Sequence, residues 1–232
     1  MSVILFCLPY AGGSEAMYYG WKKYLSSSIR LEPVELKGRG KRYNEGHYES
    51  MDEMVEDVFL NIRDRILYDE YAFFGHSMGA LLAFELYYRI CAENLRKAAH
   101  IFFSGLPAPS VRKIKKKIHT LPDEEFLREV IDMGGTPEEL LANKEWLQLV
   151  LPLLRSDFTI NENYVYVERE NKIECGVTVL KGSNEEMTLE ELLAWKSHCV
   201  RGFKQYTLTG DHFFINDNAE NITRIINSLL AR

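Results

Sequence analysis

The sequence has few cysteines, no excess of basic residues and no long apolar run, and each shortage argues against a class of protein. Its four cysteines, Cys7, Cys91, Cys175 and Cys199, are far apart and form no C-x-x-C pair, so a disulfide framework or a zinc site is not expected. No stretch reaches the roughly 18 uninterrupted apolar residues that indicate a membrane span. The formal net charge of -6 argues against nucleic acid as the main partner.

The N-terminal run MSVILFCLPYAGG also lacks the features of a targeting segment. It has no positive n-region, and its apolar part is too short for a signal peptide or a membrane span. We interpret it as a buried first strand and expect a cytoplasmic protein. The 232 residues suit one large domain with a substantial core.

Short apolar runs alternate with segments of helical spacing over most of the chain. The predicted strands are Val3–Leu8, Leu31–Leu36, Tyr71–Phe74, Ala98–Ser104, Val177–Leu180 and Phe203–Leu208. The predicted helices run from Ser14 to about Leu25, over Ser50–Leu67 and Met78–Cys91, from Thr188 to about His198, and over Asn218–Leu230. This order predicts an α/β fold with a mainly parallel central sheet flanked by helices.

The alternation stops between Ala108 and about Phe158. This segment has no good strand, and helical patterns begin at Pro122, Thr136 and Lys144, the last running to Arg155 with Pro152 disturbing its final turn. We therefore expect residues 108–158 to form a helical lid inserted into a core of residues 1–107 and 159–232.

The stretch AFFGHSMGALLAFEL holds the clearest chemical signal. A G-x-S-x-G motif between a strand and a helix is typical of a nucleophile elbow, in which glycines permit a tight turn and the serine is exposed. The helix N-terminus behind it favours developing negative charge. We predict that Ser77 is a catalytic nucleophile.

A serine nucleophile needs a base, an acid and an oxyanion hole. His212, in TGDHFF after the last strand, is the predicted base, and Glu185, in the loop GSNEE after Val177–Leu180, is the predicted acid. Asp157 in LLRSDF is the alternative acid, although it could instead hold Arg155 or a loop. The backbone amides of Ala11 and Met78 are the predicted oxyanion donors. No metal or soluble cofactor is required.

Several motifs together resemble the type II thioesterases, the stand-alone editing enzymes of nonribosomal peptide and polyketide synthases. They are LPYAGGS, GHSMGALLAFEL, LPDEEF, GGTPEELL, LPLLRSDF and GDHFF, and they cover nearly the whole chain. The resemblance implies an α/β-hydrolase fold with a helical lid, with Ser77 as nucleophile, His212 as base, and Ala11 and Met78 as oxyanion donors. The family usually has aspartate in a G-x-x-D pattern, where this chain has Glu185.

The resemblance also implies the substrate and the partner. The substrate would be an acyl or aminoacyl thioester on the phosphopantetheine arm of an acyl- or peptidyl-carrier protein, and a monomer would suffice. The basic run Arg112–Lys117 could dock an acidic carrier or could be a solvated lid face. Apolar lid residues could line an acyl channel or form lid core, namely Met133, Leu140, Leu141, Leu147 and Leu151. Arg39 and Arg42 are interpreted as structural.

Two other functions remain open on the sequence alone. A carboxylesterase or lipase acting on small soluble esters would need the same elbow and oxyanion loop. A non-catalytic binding protein of the same fold is the other alternative, because fold does not imply function.

Overall fold

The alternating side chains of the first strand divide the core of this chain into two layers. In the computed structural model, Phe6 and its alternate neighbours along Val3–Leu8 pack on one face of a sheet, while Leu5 and its neighbours pack on the other. The structure describes residues 2–134, 144–200 and 202–231. All six residues of this strand are buried, as expected for the middle of a parallel sheet covered on both faces.

The described residues contain a six-stranded sheet in the order β2-β1-β3-β4-β5-β6, with every pair parallel. Its strands are β1 (Val3–Leu8), β2 (Ile29–Pro33), β3 (Glu70–His76), β4 (His100–Ser104), β5 (Gly176–Gly182) and β6 (Phe203–Leu208). The predicted α/β fold with a mainly parallel sheet is confirmed. The second strand lies earlier than its predicted range of Leu31–Leu36, because its pairing with β1 begins where Ile29 lies opposite Val3 and ends where Pro33 lies opposite Cys7.

Helices cover both faces of the sheet. They are α1 (Met51–Tyr68), α2 (Met78–Ala92), α3 (Asp123–Asp132), α4 (Lys144–Asn163), α5 (Leu189–Leu193) and α6 (Ala219–Leu230). Helices α1 and α2 contribute to the core layer that contains Phe6, and α6 contributes to the layer that contains Leu5. Within the described residues, no helix is both long enough and apolar enough to cross a membrane.

Local capping signals predicted some helix starts and not others. Thr188 begins α5, as predicted, with a capping box to Glu191, and the chain continues as a 3-10 helix to His198. Ser50 caps α1 through the backbone N–H of Glu53. The helix predicted from Ser14 to about Leu25 is a 3-10 helix over Glu15–Lys23, and the Ser14 side chain makes no capping hydrogen bond in the described structure.

The inserted segment forms a small hydrophobic cluster of its own, separate from both layers of the main core. The buried members are Ile118, Phe126, Leu127, Val130 and Leu154. Helix α4 passes through Pro152 and ends at Asn163, not at the predicted Arg155, because apolar residues on both sides of the proline pack into the clusters beneath it. The expected lid boundary at residue 158 therefore falls inside α4. The predicted helix at Thr136 lies outside the described residues.

Candidate active site

The turn between β3 and α2 forces Ser77 into a strained conformation. Ser77 has φ 52° and ψ -117°, a region that non-glycine residues rarely adopt. A Cβ on Gly75 would collide with the backbone of Gly79 and Ala80, and a Cβ on Gly79 would collide with the backbone at the end of β1. Both glycines of the motif are therefore required by close backbone approach, and the predicted reason for them is confirmed.

Ser77, His212 and Glu185 form one hydrogen-bonded chain. The Oγ of Ser77 lies 3.0 Å from His212 Nε2, and His212 Nδ1 lies 2.7 Å from Glu185 Oε1. A carboxylate only accepts, so Nδ1 carries the proton and the lone pair of Nε2 faces the serine hydroxyl. Three loops after β3, β5 and β6 bring these residues to the carboxyl edge of the sheet, although they are far apart in sequence.

The longer side chain of glutamate fits because its second oxygen bonds the backbone of its own loop. Glu185 Oε2 accepts the N–H of Gly182 at 2.6 Å while Oε1 faces the histidine. The side chain is only 6% exposed. The loop is held against the histidine loop, since the N–H of Asn184 donates to the carbonyl of Gly210 at 2.9 Å. Glu185 thus reaches His212 and the backbone of its own loop at the same time.

His76, which precedes the nucleophile, supports the loop of His212. Its Nε2 lies 2.9 Å from the main-chain oxygen of His212, and its Nδ1 lies 2.9 Å from Ser104 Oγ. A carbonyl only accepts, so Nε2 carries the proton and Nδ1 accepts from the serine hydroxyl. Burial holds the pKa of His76 well below its usual range, which keeps the ring neutral.

The loop after β1 makes a tight turn whose second central residue is Gly12. The N–H of Gly13 donates to the carbonyl of Tyr10 at 2.9 Å, and Gly12 has φ +77°, as a type II turn requires. Ala11 is the first central residue. The amide of Met78 is the first of α2, so the helix offers it no carbonyl partner. Both predicted oxyanion amides thus lie on backbone segments of defined geometry.

Asp157, the alternative acid, binds Arg39 and not His212 in the described structure. Its two oxygens accept from Arg39 Nη1 and Nη2, each at 2.8 Å. Oδ2 also accepts the N–H of Gly12 at 2.7 Å. Of the two other suggested roles for Asp157, holding Arg155 is wrong, because that guanidinium binds the carbonyl of Leu121 and the carboxylate of Asp123. Holding a loop is confirmed by its contact with the Gly12 N–H.

The lid segment lies over both sides of this arrangement. A Cβ on Gly12 would collide with Leu154 of α4. Just after α3, a Cβ on Gly134 would lie 3.7 Å from the side chain of Asp211 and 3.8 Å from that of Phe213. The segment thus approaches both the turn of Gly12 and the loop of His212.

The apolar residues and the basic run predicted for the lid differ in how far they are buried or paired. Leu147 and Leu151 pack against the lid cluster, and Met133 is 41% exposed. Leu140 and Leu141 lie outside the described residues. In the basic run, Lys115 forms an ion pair with Glu186 and Lys116 with Glu129, so part of the positive charge of the run is compensated. A docking role for the run stays a prediction.

Arg39 and Arg42 each hold a carboxylate, which agrees with a structural reading of both. What the sequence did not indicate is that the loop held by Asp157 is the turn of Gly12 and that its charged partner is Arg39. No local signal could have found it, since Arg39 and Asp157 are 118 residues apart in the chain. Among the described residues, no cluster of three histidine, cysteine or acidic side chains could hold a metal ion.

Comparisons with a family model, with curated proteins and with solved structures each match nearly the whole chain. A family model described as thioesterase domain matches residues 3–230. Linear gramicidin dehydrogenase LgrE of Brevibacillus parabrevis is 40% identical, covering 98% of this chain and 88% of that protein. Thioesterase PikA5 of Streptomyces venezuelae is 34% identical, covering 99% of this chain and 81% of that protein. The crystal structure of ClbQ from the colibactin pathway superposes with a TM-score of 0.94 at 33% identity, covering 99% of this chain and 97% of that one.

Proposed function

This chain belongs to the thioesterase family, and we propose that Ser77, His212 and Glu185 form its catalytic triad, acting on acyl thioesters of carrier proteins. The chain is a thioester hydrolase of the stand-alone type II class of nonribosomal peptide and polyketide synthesis. The observation that carries the triad is the hydrogen-bonded series from Ser77 through His212 to Glu185, with distances of 3.0 and 2.7 Å.

The first half of the reaction forms an acyl-enzyme. Ser77 Oγ attacks the thioester carbonyl carbon while His212 Nε2 takes the hydroxyl proton. The amides of Ala11 and Met78 donate to the carbonyl oxygen as it becomes negative. The C–S bond then breaks, and the pantetheine sulfur leaves as a thiol with the proton from His212. Glu185 stabilises the imidazolium throughout.

The second half releases the acid by the same groups. Water attacks the ester carbon as His212 takes its proton, and Ser77 regains a proton when the C–O bond breaks. The lid of residues 108–158 would cover the acyl group and exclude other water. The partner is an acyl- or peptidyl-carrier protein. The enzyme acts as a monomer in the cytoplasm.

Loss of an acyl group from a loaded carrier tests the proposal directly. A carrier protein charged with an acyl-phosphopantetheine is incubated with enzyme, and its intact mass is followed with time. We expect the native chain to remove the acyl mass and Ser77→Ala to leave it in place with an unchanged circular dichroism spectrum. Turnover by Ser77→Ala at the native rate would contradict the mechanism. Faster hydrolysis of p-nitrophenyl esters than of acyl-carrier would favour a carboxylesterase.

A further inference from the structure

The carboxylate of Asp157 sits between the lid and the turn that carries Ala11. It belongs to α4 and is fully buried, as is its partner Arg39 at 4% exposure. Two buried opposite charges are stable only when their hydrogen-bonding groups are satisfied. Arg39 Nη2 and Nη1 bind Asp157, Nη1 also reaches the carbonyl of Gly13 at 3.0 Å, and Nε donates to that of Lys37 at 3.2 Å. The pair is thus built into the turn.

These bonds fix successive peptide planes of the turn. The carbonyl of Tyr10 accepts from the N–H of Gly13, and this orients the Tyr10–Ala11 peptide. Because a trans peptide is planar, the N–H of Ala11 then points away from that carbonyl, out of the turn. The next peptide, between Ala11 and Gly12, is held by Asp157 through the Gly12 N–H.

The central peptide is the part of a β-turn that can rotate. Types I and II differ mainly by a flip of this peptide, and φ +77° at Gly12 is the type II arrangement. Such a flip would leave the Ala11 N–H in place, because that N–H belongs to the preceding peptide. Asp157 and Arg39 act instead on the turn as a whole, since they anchor it at the Gly12 N–H and at the Gly13 carbonyl. Leu154 of α4 packs against Gly12 and closes the same turn from above.

We propose that Asp157 is a positioning residue that holds the turn of Ala11 in its oxyanion-binding orientation, through the Gly12 N–H and Arg39, and so couples α4 of the lid to the oxyanion hole. The inference rests on the proposed function. It gives Asp157 a role in the reaction distinct from that of a triad acid. A lid movement that shifts α4 would break the contact with the Gly12 N–H and release the turn. Full stabilisation of the transition state therefore requires α4 to be packed against the turn.

The test compares kcat, KM and transition-state affinity in matched variants. Asp157→Ala removes the acceptor of the Gly12 N–H. Asp57→Ala is the control, because Asp57 also makes a bidentate pair, with Arg42 at 2.7 and 2.9 Å, but does not contact the turn. We expect Asp157→Ala to lower kcat about 10- to 100-fold, with KM for acyl-carrier unchanged, since an oxyanion donor is misplaced and not lost. The control should keep native kcat.

An analogue that mimics the tetrahedral intermediate separates this role from simple support of the fold. An alkyl boronic acid binds Ser77 Oγ through boron and places an oxygen in the oxyanion hole. Its affinity should fall in parallel with kcat in Asp157→Ala, while the affinity for a non-hydrolysable thioether analogue of the acyl-carrier stays constant. The pH profile of kcat should keep its native midpoint, because His212 and Glu185 are untouched.

A second variant covers the case in which a lone buried Arg39 prevents folding. Combining Asp157→Leu with Arg39→Met removes both charges, a replacement that proteins often tolerate, and still leaves the Gly12 N–H without an acceptor. The same loss of kcat is expected. Native kcat in this folded variant, a rise in KM alone, or a shifted pH midpoint would overturn the proposal. Failure of the native enzyme to hydrolyse acyl-carrier would instead overturn the proposed function.

Discussion

The ring of His76 donates a hydrogen bond of 2.9 Å to the main-chain oxygen of His212, so the residue beside the proposed nucleophile holds the loop of the proposed base. The other ring nitrogen of His76 lies 2.9 Å from the side chain of Ser104, whose carbonyl accepts the N–H of Ser77 at 2.8 Å. The serine and histidine loops are thus fixed to one another through β4, and this fixed distance is what proton transfer from Ser77 to His212 requires.

His76→Leu should therefore impair catalysis through position. It removes both hydrogen bonds of the ring, and we expect kcat to fall about 10- to 100-fold, because small displacements of catalytic groups are costly. The unfolding free energy should fall by about 1–3 kcal/mol, because Ser104 and the His212 carbonyl lose a partner. Acyl-carrier hydrolysis and urea unfolding measure the two effects.

His100→Leu is the matched control for that experiment. His100 is also buried on a strand and lies 2.8 Å from Thr178 Oγ1, but it has no bond to the triad. Its loss should lower stability and leave kcat near the native value. An equal drop of kcat in both variants would mean that general destabilisation, and not the His212 loop, explains the result.

Glu185→Gln should reduce kcat by about 10³- to 10⁴-fold, since an amide in place of the carboxylate favours the wrong tautomer of His212 and cannot stabilise the imidazolium. Glu185→Asp should lose less activity, because it keeps the charge but is too short to reach both Gly182 N–H and His212 Nδ1. The measurement is kcat on acyl-carrier across pH. Native activity of Glu185→Gln would show that another group orients the histidine.

Gly182→Ala should separate the acid loop from the histidine loop. A Cβ at this position would collide with the main-chain oxygens of Gly210 and Asp211, which are backbone atoms and cannot turn aside. We expect at least about a 100-fold loss of kcat, because Glu185 and His212 would no longer meet. Gly20→Ala is the control, since its Cβ meets nothing within 4 Å. Comparable activity of the two variants would argue against this close approach.

Stability should fall on acidification below about pH 6.5, the usual pKa of histidine. Burial lowers the pKa of His76 and His198, and it lowers the pKa of His100 to about 4. Below pH 6.5 the unfolded chain therefore binds more protons than the folded one, and the unfolding free energy decreases as pH falls.

Urea unfolding at pH 7, 6 and 5 measures this effect. Each such histidine contributes a slope of up to about 1.4 kcal/mol per pH unit, between its unfolded and folded pKa values. Because the pKa of His100 is lowered to about 4, its contribution to the slope extends from about pH 6.5 down to about pH 4 and so includes the step from pH 6 to pH 5. His100→Gln should flatten the slope, and an unchanged slope would contradict the assignment.

Patterns in neighbouring residues were sufficient to predict the nucleophile elbow and most of the helices and strands. Gly75, Ser77 and Gly79 lie within one turn, where local sterics dictate the conformation, and Thr188 with Glu191 forms a cap from adjacent backbone groups. The apolar spacing likewise predicted α1 near its observed bounds, and the short run Phe203–Leu208 predicted β6. By contrast, α4 runs past Pro152 because packing of its apolar face outweighs the local cost of a proline.

Local conformations and the kinds of reactive group follow from short stretches of sequence, because backbone sterics and side-chain periodicity act between near neighbours. Which of these groups meet depends on contacts between segments that are far apart in the chain. Two acids, Glu185 and Asp157, could each have served His212, and the fold brings one to the histidine and the other to Arg39. The loop after β5 favoured Glu185, but the contact of Asp157 with Arg39 depends on how α4 packs against a distant segment, and the residues around Asp157 do not indicate it.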